Sequence, residues 1–242
     1  MELSGSVALV TGGAHRLGRA IALALAVAGV NIALHYHHSA EQARTTLADL
    51  EAHGVETIAV PGDLAQVAEA ERVVDTAAAH WGRLDLLVCS AGIWERTPLG
   101  AVTEAEWDRL YDLNARSAFF LAQRAALHLR ATSGCIVAIA DVGIITSWKN
   151  YTPYLSSKAA LAMVMQNLAR DLAPEVRVNT IAPGPVLLPD DWGAEQQDRA
   201  ARSTLLRRVG TPDDIAQAVL YLARADYVTG VLLPVDGGQR LK

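Results

Sequence analysis

Cysteine is scarce in this chain of 242 residues, where only Cys89 and Cys135 occur. Both sit in apolar, strand-like runs. That excludes a disulfide-stapled fold, and two buried thiols suit a reducing compartment. No metal site is expected on so few cysteines. Long apolar stretches are missing as well. Charges interrupt each helical pattern before it reaches the length of a membrane span, so no membrane partner is expected. Met1 leads directly into a strand, without a charged leader or an apolar signal core, and the expectation is a soluble, cytoplasmic protein. The formal net charge of −5 and the lack of a basic stripe argue against nucleic acid as a partner. Internal repeats, linkers and low-complexity segments are absent. Lysine is rare too, with three residues against eighteen arginines, so a lysine in a special position is not readily dismissed as filler.

What is present is apolar residues, 51% of the chain, and a length that fits one α/β domain with a full core. Strand-like runs alternate with helical patterns from end to end. The expected strands are Ser6–Thr11, Val30–His35, Val55–Val60, Leu84–Cys89, Gly134–Ala140, Val176–Ile181 and Val231–Pro234. The helical stretches lie near Leu17–Ala28, Ala40–His53, Ala65–Trp81, Glu104–Arg130, Pro153–Ala173 and Pro212–Ala223. The strands are nearly continuous apolar runs, as burial of both sheet faces requires. This alternation predicts a doubly wound parallel sheet with helices on both faces. One domain is expected over 1–242, its dinucleotide-binding half over about 1–90 and its catalytic and substrate half over about 91–242.

The first turn reads Thr11-Gly12-Gly13-Ala14-His15-Arg16-Leu17-Gly18-Arg19. A glycine-rich turn between a first strand and a helix lets backbone N–H groups approach a pyrophosphate at the helix N-terminus, which marks a dinucleotide site. Gly12 supplies the turn, and Gly18 permits close packing of helix on sheet. The end of the second strand chooses between the two nicotinamide dinucleotides. An Asp or Glu there binds a free ribose 2′-hydroxyl, but the chain reads Leu34-His35-Tyr36-His37-His38-Ser39, with no carboxylate before Glu41. Arg16 can instead meet a 2′-phosphate, with donors added by His37, His38 and Ser39. The expected cofactor is NADP(H). After the third strand, Asp63 can accept from an adenine amine or cap the next helix, and both can hold. After the fourth come Ser90, Ala91 and Gly92, small enough for a cofactor to lie against backbone. Trp94 then either stacks on a planar substrate or simply packs.

The stretch from Asp141 to Lys158 carries the chemistry. Thr152 can cap a helix and Pro153 suits its first position, so Tyr154 and Lys158, four apart, share a face. A phenol ionises near pH ~10. An ammonium held beside it is expected to favour the phenolate and to fit Tyr154 for proton transfer near neutrality. Tyr151 has no lysine four residues later and is set aside. Asn114 lies inside a long helical pattern, where it either holds a kink and a water near Lys158 or is merely tolerated. That helix and the one after Tyr154 are apolar on more than one face, marked by Leu113, Phe119, Phe120, Leu121 and Leu127, and by Leu161, Met163, Val164, Met165 and Leu168. A homo-oligomer would cover them. Pro183-Gly184-Pro185 ends the sixth strand, and the long segment with Pro189, Asp190, Asp191 and Trp192 is expected to be an irregular substrate lid. Asp236-Gly237-Gly238 is expected to be a turn without a catalytic role.

Taken in order, Thr11-Gly12…Gly18, Asp63, Ala91-Gly92, Asn114, Tyr154-x-x-x-Lys158, Asn179, Pro183-Gly184 and Asp236-Gly237-Gly238 resemble the short-chain dehydrogenase/reductase family over essentially the full length. The resemblance implies a Rossmann-like fold, usually tetrameric through the two long helices. It implies hydride transfer from a nicotinamide to a small-molecule substrate, with Tyr154 as proton donor and Lys158 binding the ribose and assisting it. Leu17, Leu64, Ser90, Pro183 and Gly184 join the implied cofactor contacts.

The chain departs from the family pattern at three places. Arg16 stands where glycine is usual, Cys89-Ser90 where paired asparagines are usual, and Asp141 where the catalytic serine is usual. Two of these departures are similar to the pteridine reductases, including bacterial dihydromonapterin reductases. That branch has an Arg-Leu-Gly turn, a His-Tyr-His segment followed by serine, and an aspartate in the serine's place. The similarity implies a dihydropterin or dihydrofolate substrate reduced to the tetrahydro form, with Trp94 sandwiching the pterin against the nicotinamide. Here His38 stands where an arginine is common, and Gly92 where a serine helps bind cofactor and pterin. Reducing a C=N bond needs a proton on nitrogen, which a carboxyl at 141 can relay through Tyr154; the plain alternative is an aspartate capping a backbone turn. Competing readings are a carbonyl reductase acting on a ketone or 3-oxoacyl substrate, and a non-catalytic dinucleotide-binding regulator.

Overall fold

The computed structural model describes residues 1–189 and 191–242. Its first strand, β1 (Val7–Val10), is buried along its whole length. Successive side chains of a strand point to opposite faces, and β1 uses both: Val7 and Leu9 enter one apolar layer, Ala8 and Val10 the other. The remaining strands are β2 (Asn31–Tyr36), β3 (Thr57–Pro61), β4 (Leu86–Cys89), β5 (Cys135–Ile139), β6 (Arg177–Pro183) and β7 (Leu232–Val235). They form a seven-stranded sheet in the order β3-β2-β1-β4-β5-β6-β7, with every neighbouring pair parallel.

Parallel neighbours need crossover connections, and these hand helices to both faces. The helices are α1 (Arg16–Val27), α2 (Ala40–Glu51), α3 (Val67–Trp81), α4 (Glu104–Tyr111), α5 (Ser117–Thr132), α6 (Gly143–Thr146), α7 (Thr152–Asp171), α8 (Ala194–Arg202) and α9 (Pro212–Arg224). One layer joins α3, α5 and α7 through residues such as Val73, Ala77, Leu121 and Leu161. The other joins α1, α2 and α9 through Ile21, Leu25, Leu50, Ile215 and Val219. Strand order reverses between β1 and β4, which opens a crevice at the carboxyl ends of the strands. Among the described residues, no helix is long and apolar enough to cross a membrane.

Each expected strand and helix is present, and the departures have local causes. The single helix expected over Glu104–Arg130 is interrupted, because Asp112–Arg116 form a π turn between α4 and α5. The segment expected to be an irregular lid contains α8, whose sequence AEQQDRAAR buries only Ala200 and so carries almost no apolar period. Asp190 of that segment lies outside the described residues. Tyr151, not Thr152, is the N-cap of α7, one residue earlier than expected. Gln66, not Asp63, precedes α3; Asp63 Oδ1 instead accepts from Ala65 N at 3.1 Å, closing a turn of its own.

At the amino edge of the sheet, one buried carboxylate sets the register. Asp85 Oδ2 accepts from Val7 N at 2.8 Å and from Arg83 Nε at 2.9 Å, and its Oδ1 accepts from Arg83 Nη2 at 2.7 Å. Its backbone N donates to Val7 O and its O accepts from Cys135 N, both at 2.9 Å. Asp85→Ala leaves the Val7 N–H and a guanidinium unpaired, with an expected loss of about 2–4 kcal/mol in urea unfolding. Asp85→Asn keeps an acceptor for Val7 and is expected to lose less.

Candidate active site

Beyond β1, Thr11 N continues the ladder to Val88 O at 3.0 Å, and its hydroxyl extends it. Thr11 Oγ1 donates to Val88 O at 3.1 Å and accepts from Ser90 N and Ala91 N, both at 3.0 Å. The glycine turn is thereby held against the small segment Ser90-Ala91-Gly92. Gly12 has φ +64°, a conformation that favours glycine. A Cβ on Gly18 would lie 2.2 Å from Gly12 O, so this glycine brings α1 onto the turn itself rather than onto the sheet. The first turn of α1 has no side-chain cap and no acidic residue. Its N–H groups are therefore left for an anion, and a dinucleotide pyrophosphate fits that cradle.

Arg16 has φ +52°. That is where glycine is cheap and a residue carrying a Cβ is strained, and it accounts for the glycine usual at this place. The arginine is exposed, and among the described residues it has no hydrogen-bond or ion-pair partner. At the end of β2, His37 and His38 are exposed with ring centroids 3.5 Å apart, and Ser39 precedes α2 without making a side-chain cap bond. Behind them His35 is buried. It accepts from Gly12 N at Nδ1 (3.1 Å) and contacts Gly62 O through Nε2 (3.0 Å). Leu17 and Asp63 are half-buried beside this corner, whereas the Leu64 side chain belongs to the core.

Tyr154 and Lys158 lie buried on α7, but they do not pair as expected. Tyr154 Oη donates to Asp141 Oδ2 at 2.7 Å, and Asp141 Oδ1 accepts from Gly143 N at 2.7 Å. Lys158 Nζ donates to Ile139 O at 2.9 Å. Burial, reinforced by the charge and hydrogen bond of Asp141, pushes the Tyr154 phenol well above its ordinary range. This is the opposite of the shift expected from an adjacent ammonium. Burial also raises Asp141, against the bonds from Tyr154 and Gly143 and the charge of Lys158. Lys158 itself is pushed down to about 8 by burial, with Asp141 opposing.

The π turn aims Asn114 inward. Its Oδ1 accepts from Ile93 N at 2.9 Å, and its Nδ2 donates to Ile93 O and to Ser157 Oγ, both at 3.0 Å. Ser157 Oγ donates onward to Tyr154 O at 2.7 Å. Asn114 thus ties the segment after β4 to α7 and is more than a tolerated polar residue.

Above this cluster stands an aromatic wall. Tyr151 lies 5.1 Å from Trp94 with a 31° tilt, 5.8 Å from Trp148 edge-on, and 6.5 Å from Tyr154. Thr97 N donates to Asn150 O at 2.7 Å and joins the two loops that carry it. Sequence reasoning set Tyr151 aside for want of a lysine and passed over Trp148, although aromatic density between 148 and 154 was a usable signal. Opposite, Val142 N donates to Pro183 O at 2.9 Å. Gly184 and Pro185 open onto a cavity of about 240 Å³ shared with Thr204 and Leu206. Asp236-Gly237-Gly238 is the expected turn, with Asp236 Oδ1 accepting from Gly238 N at 3.0 Å.

A carboxyl whose folded pKa is raised binds its proton more tightly in the native state, so stability falls as pH rises from its ordinary range through the raised value. Asp141→Asn keeps bonds to Gly143 and Tyr154 without that cost. It is expected to raise Tm at pH 7–8 by on the order of 2–4 °C, with the gain vanishing by about pH 4. Melting curves across that range check the sign.

Comparison with known proteins agrees with this arrangement. A family model described as enoyl-(acyl carrier protein) reductase matches residues 12–240. The chain is similar to the short chain dehydrogenase/reductase nsrJ of Aspergillus novofumigatus, 33% identical over 98% of this chain and 96% of the relative. It is also similar to a candidate ketoacyl reductase of the granaticin polyketide synthase from Streptomyces violaceoruber, 35% identical over 97% of this chain and 96% of the relative. Among solved structures, a blue fluorescent protein from a metagenomic library in complex with NADPH superposes with TM-score 0.92 at 34% identity, over 99% of each chain. These names support the broad family and not the narrower pteridine reductase branch.

Proposed function

Because the chain belongs to the short-chain dehydrogenase/reductase family, we propose that this oxidoreductase is an NADPH-dependent carbonyl reductase whose substrate is a ketone on or beside a planar ring. The observation that carries the reading is the Tyr154–Asp141 bond of 2.7 Å standing at the foot of the wall formed by Trp94, Trp148 and Tyr151. The ketoacyl reductase relative and the NADPH-bound neighbour point the same way.

NADPH, when bound, supplies the hydride. The open first turn of α1 receives its pyrophosphate, and Arg16 with His37, His38 and Ser39 receives its 2′-phosphate. Asp63 and the backbone of Leu64 would border the adenine, and Ser90, Ala91, Gly92, Pro183 and Gly184 the other end. Lys158, steadied on Ile139 O, would hold the ribose. Tyr154 gives the proton to the substrate oxygen.

In the resting bond that proton points at Asp141. Once Asp141 is protonated the bond reverses: the carboxyl donates to Tyr154 Oη and frees the phenolic proton for the substrate. Burial of Asp141, which raises its pKa, keeps this reservoir filled closer to neutrality. Trp94 and Tyr151 offer a stacking surface to a flat substrate. Leu127 and Met163, exposed on α5 and α7 at 74% and 56%, are the surfaces a homotetramer would cover.

A second reading keeps these residues and makes a pterin C=N bond the acceptor. It rests on Asp141, which suits protonation of nitrogen. NADPH oxidation with 1-tetralone, ethyl acetoacetate and 7,8-dihydrobiopterin separates the two. Preference for the bicyclic ketone is expected; turnover of the pterin alone would transfer the assignment to the second reading, and turnover of none would overturn both.

Tyr154→Phe is expected to lower kcat by about 10²–10⁴ with KM little changed. Wild-type kcat is expected to fall as pH rises through the raised pKa of Asp141, and Asp141→Ser to hold its rate to higher pH. Arg16→Gly removes the strain at φ +52° and is expected to gain about 0.5–1 kcal/mol of stability. The same change is expected to lose the preference for NADPH over NADH in steady-state kinetics.

A further inference from the structure

We infer that His35 is a positioning residue for the dinucleotide turn, holding Gly12 in its left-handed conformation through a ring nitrogen that must stay unprotonated. The inference rests on the reading of the glycine turn as the cofactor site, and its geometry stands on its own. His35 lies near the end of β2 and is only 2% exposed. Three of its atoms are committed to neighbouring chain. Its backbone O accepts from Gly13 N at 2.9 Å, its Nδ1 faces Gly12 N at 3.1 Å, and its Nε2 faces Gly62 O at 3.0 Å.

The partners dictate the tautomer. An amide N–H can only donate, so Nδ1 accepts from Gly12. The one proton of the neutral ring is then on Nε2, where Gly62 O accepts it. A single side chain therefore spans from the turn at the pyrophosphate to the end of β3, just before Asp63. Gly62 is fixed from its other side by donating from its N to Tyr36 O at 3.0 Å.

A second proton would have to sit on Nδ1, pointing at the Gly12 N–H. Donor would face donor inside a buried pocket, and the Gly12 bond would break. Burial is the largest influence holding the ring neutral, down to about pH 4; the bond to Gly62 opposes it, His37 and Arg72 on α3 reinforce it, and Asp63 opposes it weakly. The turn is thus set throughout the neutral range and released in acid.

Asparagine and glutamine at this position separate positioning from packing. In His35→Asn the amide oxygen falls near the place of Nδ1 and can still accept from Gly12. In His35→Gln the amide falls near the place of Nε2 and leaves Gly12 without an acceptor. Two readouts apply: NADP⁺ affinity by calorimetry at pH 7.5, and backbone hydrogen exchange over residues 11–16 in the cofactor-free protein.

His35→Asn is expected to bind NADP⁺ within about threefold of wild type, and His35→Gln to bind about tenfold more weakly with faster exchange over that segment. The ratio of wild-type to His35→Asn affinity is expected to be flat from pH 8 to 5 and to drop below it, a comparison in which the other histidines cancel. Equal affinity of the two variants with unchanged exchange would overturn the inference, and so would a ratio that stays flat in acid. Should His35→Gln fail to fold, the pH ratio decides. Failure of wild type to bind NADP⁺ at all would instead overturn the assignment of the glycine turn.

Discussion

Where β1 and β4 run out side by side, the ladder between them ends with Thr11 N donating to Val88 O at 3.0 Å. The Thr11 side chain carries the junction one step further, one hydroxyl bonded to Val88, Ser90 and Ala91. This is also the point where strand order reverses and a crevice opens at the carboxyl ends of the strands. The glycine turn, the small segment after β4 and the open first turn of α1 are all placed by that junction. Asp85 does the corresponding work at the opposite edge of the same two strands, so both ends of the β1–β4 pair are locked by a side chain.

The reactive cluster is arranged against the preferences of its own groups. Asp141, Tyr154 and Lys158 each have their pKa moved by burial in the direction of the neutral form. The shift moves the carboxyl toward neutrality, where a group can exchange its proton, while the raised phenol keeps its own proton until a partner takes it. Asn114 and Ser157 hold the backbone of Tyr154 without touching its hydroxyl, so the proton-bearing atoms stay free of the scaffold that aims them.

Much of this was legible in the amino-acid order. The inner strands, buried on both faces, have to be apolar and could be read; so could the half-exposed edge strands β3 and β7 and the helices with a clear apolar stripe. The helix α8 escaped because it buries one alanine. The π turn was half visible, in the awkward placing of Asn114 within a helical pattern. Spacing put Tyr154 and Lys158 on one face correctly, yet a shared face is not a contact: the lysine stem runs to Ile139 O instead. His35 was passed over because a lone polar residue at a strand end gives no hint of which amide it will meet. The narrower pteridine reductase reading drew on Arg16, His37, His38 and Ser39, which are expected to address a phosphate that any NADPH enzyme must hold. Only Trp94 and Asp141 bear on the substrate itself, too few side chains to name it, and a relative matched over 97% of the chain is named a ketoacyl reductase.

The π turn at Asp112–Arg116 acts as a phase shifter between α4 and α5. Each residue of a regular helix advances the side-chain direction by about 100°, so one surplus residue lets the Leu110 end of α4 lean on α7 while Leu121 and Leu129 on α5 still meet the sheet. Removing a single residue would swing either Asn114 off Ile93 or the whole of α5 off its layer, whichever helix kept its footing.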